Sequence, residues 1–182
     1  MKKLILLIAL SVLPFLSFGQ SIFDKYEGNE NVTFVSMQPK MFQMLAQMSI
    51  STDDPEAQQF FDLVKNITSF KVMTTEDDGI SKDIDGWVGK HLKSSSLQEL
   101  MRVRDGDSHV KFYVKEGSDE NHVEELLMFV TGIKDVNVEV NGHKIETVLL
   151  SLTGNIDLRQ IAKLTDKMDL PGGDQLGKAK KK

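Results

Sequence analysis

Two alternating runs joined by a short turn constrain this chain more than any other part of it: Leu97 to Arg104 and His109 to Lys115 flank Asp105-Gly106-Asp107. Aspartate and glycine supply the side-chain bonds and the positive φ that reverse a strand, so the stretch predicts an antiparallel hairpin. In the second run Val110, Phe112 and Val114 alternate with Lys111, Tyr113 and Lys115, which predicts one buried face and one wet face. A hairpin is at best marginal alone, so further strands must complete a sheet.

Val32 to Met37, Ile67 to Thr74, Val123 to Thr131 and Ile145 to Thr153 carry the β-branched and aromatic content to supply them. Val136, Val138 and Val140 alternate up to Asn141-Gly142, the strongest two-residue hairpin turn, and predict either a small hairpin extending from the sheet or a strand that continues through it.

Helical signals lie between these strands. Ile22, Phe23 and Tyr26 predict a short turn packed on the body, and Pro39 is placed for the first turn of a helix over 40–48. Met37, Met41, Met44 and Met48 recur at spacings of four, three and four; this stripe reads as a buried face, with a soft binding groove or thioether metal site as the functional alternative. A second helix opens at Asp53-Asp54-Pro55 and places Ala57, Phe60, Phe61 and Val64 on one side. A third, over 80–93, aligns Ile80, Ile84, Trp87, Val88 and His91, with Gly86 and Gly89 read as permitting close approach to the sheet. A closing helix, capped by Asn155 or Asp157, runs to Met168 with Leu158, Ile161, Ala162 and Thr165 inward. Few helices and many hairpin strands predict an α+β fold, a mostly antiparallel sheet with helices packed on one face.

The beginning of the chain predicts export. Lys2 and Lys3 precede an apolar run from Leu4 to Phe15, broken only by Ser11 and Pro14, and small residues at Ser17 and Gly19 prepare cleavage before Gln20. That run falls short of the roughly 20 residues that span hydrocarbon. The expected organisation is a signal peptide over 1–19, one α+β domain over 20–170, and a disordered Lys-rich tail over 171–182, after Pro171-Gly172-Gly173. Of 22 basic residues, 20 remain after Lys2 and Lys3 leave, against 27 acidic ones. This balance, with Lys and Arg scattered except at the tail, predicts no nucleic-acid surface. With no cysteine, disulfides, thiol catalysis and a cysteine-linked lipid anchor are excluded. The expected location is therefore the periplasm or outer envelope, without a transmembrane segment, and Lys178-Ala179-Lys180-Lys181-Lys182 is expected to give at most weak contact with an anionic surface.

Several stretches together carry a resemblance. They are the leader ending Phe-Gly before Gln20, Val-Thr-Phe-Val-Ser with its Met-rich helix, Leu-Gln-Glu-Leu-Met-Arg-Val-Arg, Val-Lys-Phe-Tyr-Val-Lys, Glu-Glu-Leu-Leu-Met-Phe-Val and Leu-Thr-Gly-Asn-Ile-Asp-Leu-Arg-Gln-Ile. Over nearly all of the mature chain this resembles an exported, Bacteroidetes-type family of unknown function, DUF4252. The resemblance implies a Gram-negative envelope location and transfers no catalytic residue.

Chemical motifs are sparse. His91, His109, His122 and His143 are far apart and show no metal-ligand spacing, so neither a metal nor a cofactor is expected. Asp107-Ser108-His109 contains triad residue types, but neighbours on a turn or strand point apart and no nucleophile elbow is present. Glu76-Asp77-Asp78 lacks the calcium-loop pattern and reads as a helix cap. Glu124 and Glu125 read as acids solvated at a sheet edge, with pocket carboxylates as the alternative. Two classes of function follow. One is a non-enzymatic envelope protein whose sheet face or edge binds a protein partner, as an interaction or sensing module. The other is a small-ligand or glycan binder, or a hydrolase, with a pocket between helices and sheet lined by Met41, Met44, Phe60 and Trp87.

Overall fold

The computed structural model describes residues 21–48, 58, 61, 62, 64–133, 139, 140 and 143–159. The leader, the opening of the second helix with Ala57 and Phe60, Asn141-Gly142, the closing helix past 159 and the tail lie outside the described residues.

In chain order the elements are α1 (Ile22–Tyr26), β1 (Val32–Met37), α2 (Pro39–Met48), β2 (Ile67–Thr75), α3 (Asp78–Ser94), β3 (Gln98–Asp105), β4 (Ser108–Glu116), β5 (His122–Thr131), β6 (Glu139–Val140), β7 (His143–Lys144) and β8 (Thr147–Asp157). Six strands form one sheet in the order β1-β2-β8-β5-β4-β3, antiparallel at every pairing, so the fold is α+β as expected. β6 and β7 pair Val140 with His143, the separate hairpin that Asn141-Gly142 predicts.

Cross-strand register resolves the sheet into two faces, because side chains directly opposite each other share a face and successive residues alternate. One face carries the row Phe34, Met73, Leu149, Phe129, Lys111, Arg102, and below it Ser36, Lys71, Ser151, Leu127, Tyr113, Glu99. Its apolar members are buried with Ile22, Phe23 and Tyr26 of α1 and Ile80, Ile84 and Val88 of α3. The other face carries Val35, Val72, Leu150, Met128, Phe112, Met101, and below it Met37, Phe70, Leu152, Leu126, Val114, Gln98. There Phe42 of α2 and Val64 are buried in a second cluster with Leu126, Leu152 and Ile156.

Helical segments thus meet the sheet on both faces, α1 and α3 on one, α2 and the helical residues around Phe61 and Val64 on the other. This explains the continuous apolar runs of β5 and β8, which are interior strands buried from both sides. It also corrects the reading of β4: Tyr113, placed in water by alternation, is buried beneath α3, and burial pushes its phenol up from its ordinary value.

Asp77 caps α3, its carboxylate accepting from the Ile80 N–H at 2.8 Å, so the acidic cluster does serve a helix start. A Cβ at Gly86 or Gly89 would meet nothing within 4 Å, which removes close approach as the reason for those glycines. β8 runs four residues beyond its predicted end, and Asn155 lies inside it rather than capping a helix. Asp157 takes the cap position, accepting from the Arg159 N–H at 2.9 Å. Gly154 is a strand residue with φ +147, where a Cβ would stand 2.2 Å from the Asn66 carbonyl oxygen.

Candidate functional site: the open edge of the sheet

A sheet of this order has two outer strands, β1 and β3, and their sequences treat the exposed backbone differently. β3 carries Glu99, Arg102, Arg104 and Asp105, and its register with β4 breaks between Glu99 and Met101, leaving Leu100 as the extra residue. Charge and a bulge are the usual devices that stop an outer strand from accepting another chain.

β1 has neither. Val32-Thr33-Phe34-Val35-Ser36-Met37 contains no charge, proline or glycine, and it pairs with β2 in unbroken register from Val32 opposite Thr75 to Met37 opposite Phe70. Among the described residues no strand pairs with its outer side. Val35, at the centre, is 46 % exposed.

The helix that leaves β1 after Gln38 adds to this surface. α2 buries Phe42 and seats Leu45 against the sheet, which turns Met41 and Met44 outward at 45 % and 54 % exposure. The expectation that the methionine stripe is the buried face is therefore corrected at these two positions; Met37 does pack against the core. Phe42 and Leu45, three apart, define the inner side of the helix.

Of the four residues expected to line one pocket, the three described ones are divided between two helices. Met41 and Met44 lie on α2, Trp87 lies on α3 across the sheet, and Phe60 is outside the described residues. Trp87 stacks on His91, ring centroids 4.5 Å apart and 10° from parallel, and meets Phe23 edge-on at 6.4 Å. His91 Nε2 stands 4.0 Å from Glu125 Oε1. Glu124 is the extra residue where β5 shifts register against β4, and against β8 it faces the two residues Gly154 and Asn155; it pairs with Lys115 at 2.6 Å. β5 is an interior strand, so edge solvation does not account for the two glutamates: the bulge sets one on Lys115 and the other beside His91.

The remaining titratable groups are engaged locally. Ser108 Oγ donates to the Gly132 carbonyl at 2.9 Å, so the Asp107-Ser108-His109 hydroxyl is committed to holding the hairpin end. His122 Nδ1 lies 2.8 Å from Asp119, whose carboxyl is lowered by that bond, and Arg159 holds the Asp157 carboxyl at about 2 by a side-chain hydrogen bond. Asp83, bonded to Lys25 and to the Tyr26 hydroxyl, ties α3 to α1, and both partners lower its pKa. Among the described residues no three His, Asp, Glu or Cys side chains are grouped to hold a metal ion, and no helix is long and apolar enough to cross a membrane.

A family model described as a domain of unknown function, DUF4252, matches residues 26–164, from the end of α1 through β8 and beyond. The chain belongs to the DUF4252 family. No curated protein and no solved structure matches it. In this DUF4252 domain one outer strand is guarded by charge and a bulge, and the other has no partner strand among the described residues.

Proposed function

We propose that this DUF4252 protein is an exported, non-enzymatic interaction module of the cell envelope that takes an extended segment of a protein partner onto β1. The observation that carries the reading is the six-residue neutral edge in unbroken register, with Val35 exposed at its centre. Strand addition to an open edge takes affinity from main-chain hydrogen bonds and specificity from alternate side chains. Val35 and the neighbouring Met41 and Met44 favour a segment with apolar residues toward that face, thioethers adapting to its shape. The leader over 1–19 supplies the envelope address, residues 20–170 the binding body, and 171–182 a solvated Lys-rich end.

The test is capture from native envelope with the wild-type chain and with Val35→Lys, followed by amide hydrogen exchange of the domain with the recovered partner. Loss of the partner in the variant together with slowed exchange over 32–37 supports strand addition. A partner retained by Val35→Lys, or protection confined to α3, overturns it.

A further inference from the structure

We infer that the occupant of β1 is a second copy of the same chain, paired antiparallel about a two-fold axis at Val35; the inference rests on the strand-addition reading and names its partner. A two-fold axis perpendicular to a sheet keeps like faces on the same side, so residues that meet across it must have numbers of the same parity. With the axis at Val35, Val35 meets Val35, Phe34 meets Ser36, and Thr33 meets Met37 of the copy. No charge is brought against a like charge, because the strand has none.

The apolar face makes this pairing favourable. The row Val35, Val72, Leu150, Met128, Phe112, Met101 is apolar across all six strands, and its β1 end is the exposed one, Val35 at 46 %. Self-pairing puts the end of this row against its own image and continues one apolar row across twelve strands. α2 begins one residue after β1 and leaves Met41 and Met44 exposed. The same operation on β3, centred on Val103, would set Arg102 against Arg104 of the copy, and the Leu100 bulge interrupts the ladder. The charged, bulged β3 edge is thus less suited to self-addition than the neutral, regular β1 edge.

The absence of cysteine from the chain makes the register directly readable. Opposed residues in an antiparallel pair hold their Cβ atoms about 4.5–5.5 Å apart, close to disulfide reach. The expected results are a two-fold mass in sedimentation for the wild type at micromolar concentrations, self-association weakened at least tenfold by Val35→Lys with unchanged circular dichroism, and rapid oxidative dimerisation of Val35→Cys but not of Arg104→Cys. A monomeric wild type at hundreds of micromolar, a Val35→Lys variant as dimeric as the wild type, or equal cross-linking at Arg104→Cys overturns the self-pairing. A chain whose capture of a different protein is lost in Val35→Lys leaves strand addition standing with another occupant; a dimer unaffected by Val35→Lys that also retains every captured partner removes both.

Discussion

Truncating Leu149 to alanine tests the core on which the open edge depends. Leu149 is fully buried near the start of β8, opposite Met73 on β2 and Phe129 on β5, in the cluster that holds Ile84 of α3. Removing its branched end loses roughly 2 kcal/mol of transfer free energy. The flanking strands are themselves paired on both sides, so the site closes poorly and the cavity contributes about as much again, giving about 4 kcal/mol in total. For a chain of this size that corresponds to a fall in Tm of roughly 8–16 °C. Leu150, the next residue, points to the other face and is partly buried with Phe42 and Val64; Leu150→Ala is expected to cost about 2 kcal/mol. Urea unfolding followed by circular dichroism, with the slope unchanged between variants, measures both. A Leu149→Ala cost under about 1.5 kcal/mol, or a Leu150→Ala cost within about 0.5 kcal/mol of zero, refutes a sheet packed on both faces.

Two further outcomes follow from the backbone and from charge. Gly154→Ala, at φ +147 and with its new methyl on the Asn66 carbonyl, is expected to destabilise by about 2 kcal/mol or more, whereas Gly86→Ala, in open space within α3, is expected to stabilise by about 0.5–1 kcal/mol; thermal melts in the reverse order would refute the assignment of the two glycines. Asp157 has its pKa lowered to about 2, so its contribution is complete above the ordinary carboxylate range and lost as pH falls from about 4 toward 2; Asp157→Asn is expected to cost up to about 2 kcal/mol at pH 6 and close to nothing at pH 2, and a cost that does not vary with pH would contradict the Arg159 bond.

Much of the local structure was legible in the residues. Asp105-Gly106-Asp107 marked a turn, and Gly106 does take φ +55 between β3 and β4. Pro39 and Asp77 marked helix starts, and Ile80, Ile84 and Val88 marked the buried side of α3. The misreadings share a cause. Tyr113 alternates as a wet residue, Met41 and Met44 recur as buried ones, and Glu124 and Glu125 look like edge acids, because periodicity reports which residues share a side but not what stands against that side.

Sequence by itself determined the strands, the turns, the α+β class and the absence of every cysteine-dependent chemistry, since each depends on bonds or packing among near neighbours. Only the tertiary structure decided that β1 and β3 are the outer strands, that β5 is enclosed on both faces, and that Val35 is left exposed. Strand order is settled by contacts between residues far apart in the chain, such as Met73 with Leu149 and Phe129 with Leu149, and no local pattern encodes which distant strand a given one will meet.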